Sequence, residues 1–440
     1  MTQQSNRMSR LRRLAREGVV VASGQFLNVL GALFLVKVVT GNLEPDQYGH
    51  ITLALTFVTL IHQIIMGGTL NSIGRYYPIA VEAGETSPFV SASRLMMTIN
   101  IALVTAISVP VIFSIYKTGN EYLASLTAAA AMLAIFNGVN GAINSVQNAA
   151  RNRVIVAYHL ALDAWLKIVL VLLAVWLLGE SSVYVLGSYV IAAALVLLSQ
   201  VLLLRKLHLS FTTTRHKIAE WTKKMSRYSW PFVAWGGFTW AHFASDRWSL
   251  QFFAGSTEVG LYSVVYQLGF VPIGIATNIA ANFFGPILNQ LSGDAKDERR
   301  VQFVQKISRS MTHLCLLITA ISVTLAYVLH QWVFSFMVSE EYRSVSYLLP
   351  PMVLAGGMFA AGELIALKLM AELRVSAMIS TKVLTSVLGF LLNMAGAISF
   401  GVIGVVIAQV SYSGLYLVSM LCLVRGRSIK TYSAKSEEVK

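Results

Sequence analysis

The feature that most constrains this chain is a ladder of apolar runs, each close to the about 20 residues that a helix needs to cross a bilayer. The first six fall near Val19–Val39, Ile51–Gly74, Met96–Ile115, Leu123–Ser145, Val154–Leu178 and Val183–Leu204. Six more fall near Trp230–Phe253, Leu261–Leu288, Met311–Leu329, Leu348–Met370, Val375–Ala397 and Val402–Val424. They are too long for barrel strands, and lipid offers no partner to an unpaired backbone group, so they are predicted to be helices. The expected fold class is an all-α polytopic membrane protein with 12 transmembrane helices. Composition agrees: 56% of residues are hydrophobic and only 12% charged, half the charge of a soluble globular chain. That balance excludes a cytosolic enzyme and a disordered chain.

The net charge of +14 could suggest nucleic acid, but its placement points elsewhere. Arg7, Arg10, Arg12, Arg13 and Arg16 precede the first run. Every even-numbered connection is basic, above all the one from Arg205 to Arg227, and so is the tail after Arg425. Twenty-seven basic residues lie on that side, against only Lys117 and Arg343 on the other. By the positive-inside rule both termini are expected in the cytoplasm. The N-terminal basic stretch resembles a signal-peptide n-region, but no small-residue cleavage site follows it, so it is expected to be retained. Cys315 and Cys422 both fall within runs and imply no disulfide framework.

The most basic connector lies near mid-chain, which predicts two lobes, 1–210 (spans 1–6) and 211–440 (spans 7–12). A weak repeat supports the division. Leu43-Glu-Pro-Asp-Gln-Tyr-Gly49 in the first half matches Gly255-Ser-Thr-Glu-Val-Gly260 in the second at an offset of 211. The same offset places Asn71 on Asn282 and brings Lys37 within one residue of Arg247. Six spans per repeat is an even number, so the repeats should be parallel, with a substrate path between them.

Ionisable residues at membrane depth are costly and face a cavity or a partner. Lys37, Asp163, Lys167, Asp246, Arg247, Glu363, Lys368 and Lys382 all fall within the apolar runs. Lys37 and Lys368 sit near run ends, where snorkelling explains them. Asp163 and Lys167 are four apart and should pair on one helix face, with His159 continuing that face. Arg247 and Lys382 have no facing neighbour on their own helix, and Asp246 should point about 100° away from Arg247. Buried and unpaired, such cations would cost several kcal/mol, which favours a cavity or an anionic ligand.

Amides form a second pattern. Asn137, Asn140, Asn144, Gln147 and Asn148 trace one helical face ending at Arg151, and Asn278, Asn282 and Asn289 repeat the idea. Such amides can bond helices together, but four turns of them suggest a wetted, hydrogen-bonding wall. Trp240 shares a face with Phe243 and Arg247, where an indole beside a guanidinium could hold a sugar next to a phosphate, although packing also accounts for it. Pro110, Pro272 and Pro350-Pro351, with Gly356 and Gly357, suggest bends. No Walker-type loop or metal-ligand spacing is present, so no cofactor is expected. The longest outer loop, His330 to Tyr347, is too short and too poor in acids and arginines for a polymerase or ligase.

Leu43-Glu-Pro-Asp-Gln-Tyr-Gly49 followed by Gly74-Arg75-Tyr76-Tyr77-Pro78 resembles polysaccharide flippases of the multidrug/oligosaccharidyl-lipid/polysaccharide exporter superfamily. So do Asp246-Arg247-Trp248 and Glu258-Val-Gly260-Leu-Tyr262-Ser263, and the resemblance extends over nearly the whole chain. The rival major facilitator class carries an acidic-glycine-arginine signature between spans 2 and 3, which Arg75 to Glu85 lacks. The resemblance implies a flippase, not an enzyme, that moves undecaprenyl-diphosphate-linked oligosaccharide across the bacterial inner membrane by alternating access. Its partners would be the polyprenyl-diphosphate-linked glycan, membrane lipids and other polysaccharide-assembly proteins, with no nucleic acid. Arg247 would take the diphosphate, with Lys37, Lys167 and Lys382 as further cations and Asn137, Asn140, Asn144 and Trp240 along the glycan path. Asp163, Asp246 and Glu363 would be the coupling acids. A drug or small-ion exporter of the same superfamily is the alternative, with a membrane-embedded polysaccharide polymerase or ligase as the weaker one.

Overall fold

The computed structural model describes residues 23–205, 215–292, 297–372 and 375–437. The N-terminal arginines, Lys206, Lys296, Arg374 and residue 210, where the sequence divides its halves, lie outside the described residues. So do the side chains of Asn282 and Asn289 and those of the basic tail.

Every regular element among the described residues is helical. In chain order they are α1 (Ser23–Asn42), α2 (Pro45–Ile61), a π-turn (His62–Met66), α3 (Gly67–Glu82), α4 (Thr86–Lys117), α5 (Glu121–Ala149), α6 (Arg153–Leu178) and α7 (Ser182–Arg205). Next come α8 (Arg215–Phe253), α9 (Ser256–Gly269), α10 (Val271–Ser292), α11 (Glu298–Met337), a 3-10 helix (Glu340–Leu348), α12 (Leu349–Ala371) and α13 (Val375–Glu437).

Local sequence sets many of the ends. Pro45 stands in the first turn of α2, where its missing N–H costs nothing. The Asn120 side chain accepts the Leu123 N–H at 2.9 Å to start α5, and Asp297 does the same for Arg299 at α11. The proline bend appears where the sequence places Pro272: α9 and α10 meet at 41°. Pro350 and Pro351 open α12, while Pro110 sits inside a continuous α4. The α13 stretch holds two helices that meet at Gly401, whose φ of 56° and ψ of −133° break the helical path.

Nine helical stretches among the described residues are long and apolar enough to cross a membrane, or ten if the bent α9–α10 pair forms one span. The chain is therefore a multi-pass membrane protein. The count differs from twelve for two physical reasons. Helix α8 is rich in charged residues at its start and in Trp, Gly and Ser further on, which lowers its apolarity. Met378–Val424 counts once because its two helices run together through Gly401. The expected outer loop from His330 to Tyr347 is also not a loop. Helix α11 continues to Met337, and the 3-10 helix carries the chain into α12.

By packing, the chain forms two compact units, Met1–Ala241 and His242–Lys440, so the boundary falls inside α8. In the first unit α5 packs against α2, α3, α4 and α7. The initial part of α8 lies along the α2–α3 stretch, beside the π-turn, through one face. Ser229 Oγ donates to the Gly68 carbonyl at 2.9 Å, Gly236 meets the Gln63 backbone, and Trp240 Nε1 donates to the Thr56 carbonyl at 2.7 Å. In the second unit α12 is the most buried apolar stretch, surrounded by α9, α10, α11 and α13. Its core joins Ala361, Ile365 and Leu369 to Tyr412, Tyr416 and Met420 of α13.

Candidate functional site

In the second unit, the cations that the sequence leaves unpaired are paired. On α8 the Arg247 Nη1 donates to Asp246 Oδ1 at 3.2 Å and Oδ2 at 3.4 Å, and to the Phe243 carbonyl at 3.3 Å. Asp246 Oδ1 also accepts the Arg247 backbone N–H at 2.7 Å, and its Oδ2 accepts the Tyr262 hydroxyl of α9 at 2.6 Å. The guanidinium lies over the Tyr266 ring, 4.5 Å from its centre. The 100° between neighbouring Cβ directions does not keep the two apart, because the long arginine arm reaches back. Desolvation offsets much of the attraction in such a buried pair, so its geometry does not imply large stabilisation.

A second arrangement of this kind joins α12 and α13. Lys382 Nζ sits 2.8 Å from Glu363 Oε1 and 3.0 Å from Oε2. Tyr416 donates its hydroxyl to Glu363 Oε1 at 2.6 Å, and its ring centre is 5.9 Å from the lysine ammonium. Here the side chains keep 24% (Lys382) and 31% (Glu363) of their exposure, against 10% for Arg247 and 5% for Asp246. Lys382 and Glu363 are partly exposed; Arg247 and Asp246 are buried. Lys368, expected to snorkel, is instead buried beside Glu372, four residues on, at 3.4 Å.

In the first unit Asp163 and Lys167 of α6 pair at 2.5 Å, as their i, i+4 spacing predicts, and both stay partly exposed. His159 does not extend this pair into a relay. Its ring nitrogens lie 2.8 Å from the Ile155 carbonyl and 3.3 Å from Ser199 Oγ of α7. Lys37 is half-buried on α1.

On the amide face of α5, two residues are engaged by α7. Asn140 donates to the Ala193 carbonyl at 2.9 Å, and Gln200 donates to Asn144 at 3.2 Å, so these residues bond α5 to α7. Gln147 is buried on the same face, while Asn144 stays half-buried and Asn148 is exposed. Asn137 is half-buried. The Trp240 indole N–H is likewise committed, to Thr56, within the first unit.

Two further sites were not visible in sequence. At the offset of 211, Gln47 falls on Glu258, and the two side chains do the same work. Gln47 Oε1 accepts the Ser182 N–H that begins α7, and Glu258 Oε2 accepts the Val402 N–H just past Gly401, both at 2.9 Å. Tyr122 bonds to Ser182 Oγ and lies 3.2 Å from Gln47 Oε1 and 3.1 Å from His50 Nδ1. The second site lies outside the apolar spans. Lys217 and Trp221 of α8 reach Glu85, at 2.8 and 3.0 Å. Hydrogen bonds from Lys217 and then Trp221 hold the Glu85 carboxyl below its ordinary pKa, and the Glu85 bond raises Lys217. In the sequence Tyr262 stands out only as part of the Glu258–Ser263 motif, and Tyr266, Tyr412 and Tyr416 not at all, although their i, i+4 spacing on α9 and α13 pairs them. Among the described residues no cluster of His, Cys, Asp and Glu could hold a metal ion.

The sequence profile of the family described as "Polysaccharide biosynthesis protein" matches residues 14–292, more than half of the chain. No curated protein matches the sequence. Solved structures share the fold. One is a lipid II flippase, MurJ, in an inward closed conformation, at TM-score 0.73 and 13% identity, covering 92% of this chain and 87% of that one. Another is an inward-facing multidrug resistance transporter of the MATE family in the MOP superfamily, at TM-score 0.68 and 16% identity, covering 93% and 97%. An outward-facing transporter of that family reaches 0.59 at 16% identity, covering 93% and 94%. The fold is thus one used by transporters.

Proposed function

The chain belongs to the polysaccharide biosynthesis protein family, and on that premise we propose that it is a flippase for undecaprenyl-diphosphate-linked oligosaccharide in the bacterial inner membrane. The reading includes twelve spans, counting α8 as one and α13 as two. Both termini lie in the cytoplasm, and two lobes, 1–210 and 211–440, rock in alternating access. The observation that carries it is the set of basic side chains inside the helices this reading counts as spans, Lys167, Arg247 and Lys382, each held by a carboxylate within reach. Lipid and sugar alone give no reason to keep cations at depth, whereas a diphosphate does.

In this mechanism the partly exposed cations receive the diphosphate first, Lys382 in the second unit and Lys167 in the first. Arg247, fixed by Asp246 and the Tyr266 face, supplies positive charge nearby or engages after rearrangement. The glycan follows polar side chains such as Asn137, and the polyprenyl tail remains in lipid. Deletion of the gene should leave lipid-linked oligosaccharide on the cytoplasmic leaflet. The direct test is reconstitution in liposomes with a defined lipid-linked glycan, with and without an ion gradient. Wild-type protein should translocate it, and Arg247→Ala and Lys382→Gln should not, at unchanged protein levels. The likeness to multidrug transporters favours one second reading, export of a drug or small ion. Uptake of a lipid-free drug, with no movement of the glycan lipid, would establish that instead.

A further inference from the structure

The Arg247–Asp246–Tyr262 and Lys382–Glu363–Tyr416 clusters share a design that exceeds what an ion pair needs. Each has a cation, a carboxylate that neutralises it, a tyrosine hydroxyl donated at 2.6 Å to that carboxylate, and an aromatic ring beside the cation. The hydroxyl does nothing for the cation directly. It gives the carboxylate a partner that stays when the cation is engaged elsewhere. The Lys382 cluster is the one where this matters, because its two charged side chains keep 24% and 31% of their exposure.

We infer that Glu363 is an internal competitor for the anionic substrate at Lys382, with Tyr416 as the residue that holds the displaced carboxylate. The inference rests on the flippase reading for the identity of the ligand, a lipid diphosphate. At rest Glu363 occupies Lys382. An arriving diphosphate takes the ammonium, and the carboxylate withdraws onto the Tyr416 hydroxyl. Release runs the other way: Glu363 recaptures Lys382 and the anion leaves. The competition weakens binding by the worth of the displaced pair, which serves a transporter that must let its cargo go. A cation left unpaired would bind tightly and empty slowly.

The test uses the full-length protein in nanodiscs, with glycan-free undecaprenyl diphosphate as the probe and undecaprenol as the phosphate-free control. Glu363→Gln should bind the diphosphate about tenfold more tightly, a difference of about 1.4 kcal/mol, and turn over more slowly in liposomes. Glu363→Asp, which keeps the competing charge, should stay closer to wild type. Tyr416→Phe should weaken binding, since the displaced carboxylate loses its holder. The double variant should bind as Glu363→Gln alone, because Tyr416 acts through Glu363. Unchanged or weaker binding by Glu363→Gln overturns the inference, as does a Tyr416→Phe effect that persists without the carboxylate. A wild-type protein that binds neither lipid overturns the flippase reading and this inference together. Wild-type binding without tightening in Glu363→Gln overturns the inference alone.

Discussion

Gly236 and Gly237 are neighbours on α8, yet alanine should have opposite effects at the two. A Cβ on Gly236 would overlap the Gln63 carbonyl oxygen and lie 2.8 Å from the Gln63 carbonyl carbon. The helix cannot back away freely. Seven residues earlier Ser229 bonds to Gly68 at 2.9 Å, and four residues later Trp240 bonds to Thr56 at 2.7 Å. Overpacking costs about 1–3 kcal/mol, and stretching one of those hydrogen bonds adds about 1 kcal/mol. Replacing glycine by alanine in a helix returns about 1 kcal/mol. Gly236→Ala should therefore destabilise the protein by about 1–3 kcal/mol. At Gly237 the nearest side-chain atom is Ile64 Cδ1 at 3.9 Å, an ordinary contact. Gly237→Ala should keep the helical gain and stabilise by up to about 1 kcal/mol. Thermal unfolding of both variants in one detergent, followed by tryptophan fluorescence, gives the comparison. If Gly236→Ala proves as stable as Gly237→Ala, the close approach of α8 to the π-turn is wrong.

Three shorter tests follow from other contacts. The Glu85 carboxyl is depressed below 4.5, so its contribution is complete above pH 4.5 and is lost as pH falls through the depressed value; Trp221 emission should shift over that acid range in wild type and not in Glu85→Gln. Gln47→Ala and Glu258→Ala should each cost about 1 kcal/mol, seen as faster amide exchange at Ser182 and Val402 respectively, while Glu258→Gln should keep most of the protection because its amide oxygen still accepts. Asn140→Ala should lower stability by about 0.6 kcal/mol by removing its bond to the Ala193 carbonyl of α7, and unchanged or raised stability in thermal unfolding would reject that role.

Legibility follows the range of each interaction. Apolar runs are local, so nine or ten spans among the described residues were legible, as was the break between Ala397 and Val402 where Gly401 turns the chain, whereas the span expected at Trp230–Phe253 lies in the less apolar α8. Asp163 and Lys167 were legible because a helix fixes four-residue neighbours. Lys382 and Glu363 were not, since their meeting depends on how α12 and α13 pack. Arg247 and Asp246 were misread because Cβ direction says little about where a long guanidinium ends. On α5 the periodicity showed which amides share a face, but only the position of α7 shows that Asn140 and Asn144 bond across to it. The caps from Gln47 and Glu258 join residues far apart in the chain, and only the offset between halves hinted that the two correspond.

The π-turn at His62–Met66 also changes how this stretch should be aligned and engineered. A π-turn holds one residue more than an α-helical turn, so every position after it is rotated by about 100° relative to a continuous α-helix. Numbering α2 and α3 as one uninterrupted wheel would put Gly68, Asn71 and Arg75 on the wrong faces. A relative lacking one residue here could keep Thr56 and Gly68 and still fail to present both carbonyls to Trp240 and Ser229. Single-residue insertions and deletions in this segment are therefore changes of phase, felt along all of α3, rather than local adjustments of length.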